Sequence, residues 1–185
     1  IVNATGVVIA PESLTVVAGS PFAFAATAYD AQATPMTGIP LVYTMLDPSF
    51  GSLTSRGAGS GTLTQLRGLA RVRVELPTGV ASDTGWLTIL PRPSALALVS
   101  GGTQTASVGG TLAQSVAVRL TATDGLSLAG AAISAAITTG GGVVTPLGTV
   151  TDSVGGFQFN WQLGALVGVQ TATVTSPGVT PLVIT

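Results

Sequence analysis

The chain has no cysteine, no histidine and no lysine, and each absence excludes something. Without cysteine there are no disulfides and no thiolate metal sites. Without histidine, Ser-His-Asp and Cys-His nucleophilic catalysis and histidine-ligated metals are ruled out. All six cations are arginines, a bias that genomic base composition explains without function. Only 7% of the 185 residues are charged, and the formal net charge of −1 removes any general electrostatic case for nucleic acid. The chain is 46% hydrophobic, yet no apolar run approaches the roughly 18–20 residues that a bilayer-spanning helix needs. Runs such as Leu41 to Leu46 and Ala95 to Val99 have strand length instead.

What is present is period-two alternation, which puts successive side chains on opposite faces of a strand. Phe22, Phe24 and Ala26 alternate with Ala23, Ala25 and Thr27. Ala70, Val72, Val74 and Leu76 alternate with Arg71, Arg73 and Glu75. Val116, Val118 and Leu120 alternate with Ala117, Arg119 and Thr121, and Phe157, Phe159, Trp161 and Leu163 alternate with Gln158, Asn160 and Gln162. Turn signals separate these runs at Ala18 to Pro21, Asp47-Pro48, Gly101-Gly102, Gly109-Gly110 and Gly155-Gly156. The glycine runs Gly57 to Gly61 and Gly140 to Gly142 lack a lysine partner or a dinucleotide-binding pattern, and read as flexible loops. Many short strands between turns predict an all-β sandwich or barrel.

Internal similarity sets the organisation. Leu66 to Ile89 is a looser version of Val150 to Val174, each reading as turn, strand, turn, strand. Ala26 to Asp30, followed by a loop to Gly38 and a strand over Ile39 to Met45, matches Leu120 to Asp124, followed by Gly130 and Ala131 to Ile137. The period of roughly 90 residues is that of a domain rather than of a solenoid repeat. Leu90-Pro91-Arg92-Pro93 closes the first copy with a stiff, extended junction. The predicted domains are 1–91 and 92–185.

The first half, GVVIAPESLTVVAGSPFAFAATAYDAQATPMTGIPLVYT, resembles a bacterial immunoglobulin-like domain. The second half, carried by VSGGTQTASVGGTLAQSVAVRLTATDG, TTGGGVVTPLGTVTDSVGGFQFNWQLG and VGVQTATV, resembles the invasin/intimin-type branch of those domains. The likeness implies two tandem immunoglobulin-like β-sandwiches. It also implies a spacer, stalk, adhesin segment or subunit of an extracytoplasmic assembly with no common active site; fold alone assigns no activity. The first domain departs from the pattern in having no clear final strand after Trp86 to Leu90. The second stops at Val183-Ile184-Thr185, where such domains continue for a few more residues.

Candidate chemistry is sparse. The seven carboxylates, Glu12, Asp30, Asp47, Glu75, Asp83, Asp124 and Asp152, show no spacing that brings a catalytic pair together. Asp30, Asp124 and Asp152 stand alone in turns, which suits backbone capping better than calcium, a cation that takes several acids at once. Arg67, Arg71 and Arg73 form the one basic cluster, either a solvated outer face that discourages edge pairing or a patch docking an acidic partner surface. Trp161 shares its face with Phe157, Phe159 and Leu163 and belongs to a core, whereas Trp86 starts a strand and suits either core or contact surface. Asn3-Ala4-Thr5 fits a glycosylation sequon at the level of chance.

So few charges imply an exterior of Thr, Ser, Gly and exposed Ala or Val. Such an exterior fits a chain in contact with others, or an ordinary Thr/Ser-rich exported sandwich. With Ile1 in place of an initiator Met, and no signal-peptide pattern, the chain reads as a processed product or a fragment. The expected protein is no enzyme and takes no cofactor and no metal. It is extracytoplasmic (periplasm or cell surface), does not itself span a membrane but associates with a membrane complex, and has protein partners in a larger assembly. Its docking candidates are Arg67, Arg71, Arg73 and Trp86. The alternatives are an adhesin or carbohydrate-recognition module, with Trp86 exposed in a groove, and a strand-exchanging filament subunit with an incomplete sheet edge.

Overall fold

The computed structural model describes residues 3–185. Contacts divide the chain into unit 1, Ile1–Arg92, and unit 2, Pro93–Thr185. No α-helix occurs among the described residues, and no helix there is long and apolar enough to cross a membrane.

Unit 1 holds β1 (Gly6–Ala10), β2 (Ser13–Val17), β3 (Pro21–Ala23), β4 (Ala25–Tyr29), β5 (Pro35–Met36), β6 (Val42–Met45), β7 (Gly51–Ser55), β8 (Ala58–Leu63), β9 (Gly68–Glu75) and β10 (Ser82–Leu90). One layer is the four-stranded sheet β2-β10-β9-β6; the other strands form the sheets β1-β4-β5 and β3-β8-β7. The alternating residues read from the sequence supply much of the interior: Phe22, Phe24, Ala70, Val72, Val74 and Leu76 are buried in one cluster, joined there by Ala28, Leu87 and Ile89. A buried side chain of this size contributes about 1.5–3 kcal/mol. The ring of Phe24 lies over Gly85, where a Cβ would come within 2.6 Å of it. Asp83 ties β10 to β1 by accepting the Ile9 N–H at 2.8 Å.

Unit 2 holds β11 (Pro93–Ser100), β12 (Val116–Ala122), β13 (Ser134–Thr139), β14 (Gly142–Pro146), β15 (Gly156–Leu163), β16 (Thr171–Thr175) and β17 (Leu182–Ile184). Its sheets are β11-β12-β15-β14 and β13-β16-β17. Between them lie Val116, Val118, Phe157, Phe159, Trp161, Ala172, Val174 and Ile184. The outer side of β13 and β16 is stitched by hydroxyl pairs: Ser134 with Thr175 at 2.9 Å, Thr138 with Thr173 at 2.5 Å and Thr139 with Thr171 at 2.9 Å.

Three expectations are corrected. Leu66 to Ile89 and Val150 to Val174 are not equivalent: β9 and β10 are hydrogen-bonded neighbours, whereas β15 and β16 lie in different sheets. Gly57 to Gly61 is not a loop but the entry to and body of β8. There a Cβ on Gly59 would collide with the Phe24 carbonyl and approach the Tyr43 ring to 2.8 Å, and one on Gly61 would collide with the Ser52 carbonyl. These glycines serve close approach rather than flexibility. No strand of unit 1 follows Trp86 to Leu90, as expected, but the incomplete edge inferred from this is overturned: Trp86 to Leu90 is itself the final strand, the second half of β10, paired in parallel with Ser13 to Val17 of β2.

Candidate functional site: the outer face of unit 1

Cross-strand register decides which side chains share a face. Trp86 on β10 lies opposite Arg71 on β9 and Ser13 on β2. Thr84 lies opposite Arg73, Thr88 opposite Leu69 and Leu90 opposite Val17. Thr44 of β6 continues the row beyond Arg73. Leu87 and Ile89, between these positions, point inward and are buried. The outer face of β2-β10-β9-β6 therefore displays Trp86, 48% exposed, with Leu69, Leu90 and Val17 around it and Arg71 and Arg73 beside it.

Trp86 stands mid-strand with paired strands on both sides, on an open sheet face. The Arg71 guanidinium carbon is 5.9 Å from the centre of its ring, within cation–π reach. On its other side Arg71 makes a two-pronged contact with Asp47, Nε to Oδ2 at 3.0 Å and an Nη to Oδ1 at 3.1 Å. Those hydrogen bonds hold the Asp47 carboxyl below the usual carboxylate range and push Arg71 further up. The guanidinium is thereby fixed in one orientation between a carboxylate and an indole. Arg73 bonds Glu75 at 2.9 Å, and its Nε is buried without a partner.

Of the residues expected from the sequence, Arg71, Arg73 and Trp86 come together, while Arg67 precedes β9 in a loop and is partly buried. Arg71 and Arg73 are already paired with carboxylates, so the face is apolar and aromatic with compensated charges rather than a cationic patch. Sequence reasoning misses Leu69, Leu90 and Val17. Leu69 is legible, since it keeps the alternation of Arg71 and Arg73; Val17 and Leu90 join the face only through the parallel β2–β10 pairing.

The solitary acids cap their own turns. Asp30 accepts the N–H groups of Gln32 and Thr34, Asp124 that of Leu126, and Asp152 those of Val154 and Gly156. Among the described residues no three metal-ligating side chains cluster.

No protein-family model and no curated protein sequence matches the chain. Solved structures do. The Escherichia coli adhesin FdeC is similar over 96% of this chain and 62% of its own, at 19% identity and a TM-score of 0.65. The D00-D0 domain of intimin is similar over 97% of this chain and 99% of its own, at 11% identity and a TM-score of 0.50. The S-layer protein SbsC aligns over 88% of this chain at a TM-score of 0.43; the chain spans only 22% of that structure. The structural neighbours include bacterial adhesins that carry tandem immunoglobulin-like domains of the invasin/intimin type, and the chain has their fold: a two-domain all-β immunoglobulin-like sandwich.

Proposed function

We propose that the chain is a non-enzymatic structural segment of a bacterial cell-surface assembly, its two sandwich domains, 1–91 and 92–185, serving as stiff blocks. The outer face of β2-β10-β9-β6 docks it to a protein partner in a larger envelope or surface complex. The observation that carries this reading is the half-exposed Trp86 with Arg71 held against it and apolar neighbours around it. Tryptophan and arginine are the residues on which protein interfaces most often concentrate their affinity, and charge compensation by Asp47 and Glu75 lowers the cost of covering the face. An extracellular location is supported by the FdeC and intimin likenesses. Arg67 borders this face only through the loop before β9.

The test places a photo-crosslinking amino acid at position 86 and, as a control, at exposed Thr62 on the opposite layer of unit 1. In the native bacterium position 86 should yield a discrete protein adduct and position 62 none. A chain that yields no adduct from position 86, and stays a dispersed monomer at high concentration, would refute the docking face. A second, adhesive reading is favoured by the exposure of Trp86 and by the likeness to FdeC, itself an adhesin. Adducts formed with proteins of a host surface, rather than of the same cell, distinguish it.

A further inference from the structure

A strand at the rim of a sheet offers unpaired N–H and C=O groups to a second chain, and folded proteins blunt such rims with proline, bulges, charge or a covering group. Both units do so repeatedly. Pro35 stands in β5 and Pro146 in β14, register shifts break β7 and β13, and the Asp83 carboxylate takes the Ile9 N–H of β1. β6 gives its Tyr43 N–H to the Arg56 carbonyl at 2.7 Å. β2, at the rim of β2-β10-β9-β6, carries none of these devices. Its residues Ser13 to Val17 include no proline and no charge, and they pair with β10 in unbroken register.

The register fixes which backbone groups of β2 are free. The Trp86 N–H donates to the Glu12 carbonyl and the Ala18 N–H to the Leu90 carbonyl, both at 2.9 Å. In a parallel ladder Leu14 and Val16 then carry the remaining bonds to β10, so the N–H groups of Ser13, Thr15 and Val17 point away from the sheet, as do the carbonyls of Ser13 and Thr15. None of these has another partner among the described residues. Charge is arranged about the strand, not on it. Glu12 precedes β2, exposed and in no ion pair among the described residues. At the far end, the turn after Ala18 holds exposed Arg92, whose Nη donates to the Ser20 hydroxyl at 3.2 Å. An acid at one end and a base at the other complement a copy of themselves turned end for end.

We propose that β2 is a self-pairing edge, through which two copies of the chain join antiparallel about a two-fold axis at Thr15. Thr15 faces Thr15 of the second copy and Ser13 faces Val17, and each facing pair exchanges two N–H to carbonyl bonds. The Val17 carbonyl does so through its second lone pair, since it already accepts the Ser20 N–H at 3.1 Å. The same register sets Glu12 opposite Ala18 of the second copy, beside the turn that carries Arg92, so an ion pair forms at both ends of the ladder. The occupant is a second copy because an end-for-end copy matches the charge at both ends, and a two-fold interface is by nature self-complementary. Pairing runs through the backbone and leaves the outward side chains of Trp86 and Arg71 uncovered.

Sedimentation equilibrium of the whole chain at low salt should show the weight-average mass rising toward twice the monomer value between about 10 µM and about 1 mM, the affinity range of a small interface. T15P removes an N–H that bonds nothing within the chain, at an edge position where proline is tolerated. It should abolish the rise and leave the melting temperature within a few degrees. E12R and R92E should each weaken association about fivefold or more, the size expected of two exposed ion pairs, and the double variant should return to within about threefold of the wild type. The chain has no cysteine, and facing residues of a hydrogen-bonded antiparallel pair stand about 5.5 Å apart at Cα, within disulfide range. T15C should therefore cross-link on mild oxidation, whereas T62C, exposed on β8, should not. The inference is overturned if the chain stays monomeric at about 1 mM, if T15P associates as tightly as the wild type, if the double charge swap fails to recover association, or if T15C and T62C cross-link equally.

Discussion

Replacing Gly59 by alanine tests the packing of unit 1 at a position where sequence pattern and structure disagree. As part of a flexible loop, Gly59 would accept a methyl group with a small gain, because alanine restricts the unfolded chain and stabilises by about 0.4–1 kcal/mol where it fits. In the structure it sits in β8, and its new Cβ would collide with the Phe24 carbonyl oxygen and press on the Tyr43 ring at 2.8 Å. The carbonyl belongs to backbone at the junction of β3 and β4, so it cannot swing aside as a flexible side chain would. Overpacking of this kind costs about 1–3 kcal/mol. At about 4–8 °C per kcal/mol for a domain of this size, G59A should lower the melting temperature of unit 1 by about 4–24 °C. Gly57 is the internal control, two residues away, with nothing within 4 Å of its Cβ position and no left-handed backbone; G57A should leave the transition unchanged or raise it by a few degrees. Differential scanning calorimetry of the whole chain reads both, and the unit 2 transition serves as a reference. Equal melting temperatures for G57A and G59A would refute the assignment of β8 as a packed strand.

Removing the Asp83 carboxylate with D83A leaves the Ile9 N–H and the Thr84 N–H without the 2.8 Å bonds it accepts, and should cost about 1–3 kcal/mol by urea denaturation. Asp47 has its folded pKa depressed by Arg71, so its contribution is present above the ordinary aspartate value of about 4 and is lost as pH falls through the lower folded value. The wild-type advantage over D47N in thermal melts should therefore shrink between neutral and strongly acidic pH, and also in high salt because the pair is exposed; a pH-independent difference would contradict the pairing. Gln170 is buried and holds the loop before β16 by accepting the Gly164 N–H at 2.8 Å and donating to the Leu166 carbonyl at 2.9 Å. Q170A should speed hydrogen exchange at Gly164 by about tenfold or more, the factor set by one hydrogen bond to a buried group.

Strand identity is legible wherever burial alternates with exposure. Spacing alone turns Phe157, Phe159 and Trp161 inward, and all three are buried, because a two-residue period leaves few alternatives. Strand partnership is less legible. Ser13 to Val17 and Trp86 to Leu90 meet across some seventy residues, and no local pattern announces a parallel pairing that distant. The false repeat arises because a hairpin inside one sheet and a crossover between two sheets both read as strand, turn, strand. Glycine misleads at Gly59 and Gly61 since the same residue marks a free turn and a crowded strand; only the facing carbonyls distinguish them. On the candidate face, Arg71 and Arg73 follow from alternation, but their neutralisation depends on Asp47 reaching Arg71 from the turn after β6 and on Glu75 meeting Arg73 along the same strand in a particular rotamer.

The parallel pairing of β2 with β10 sets how unit 1 responds to tension. β2 lies near the entry of the chain and β10 at its exit, and the two point the same way. A pull on the two ends therefore drags one strand lengthwise past the other, and their evenly spaced bonds resist together rather than opening one by one like a zip. A tether anchored at one end and gripped at the other would yield abruptly, at high force, instead of fraying.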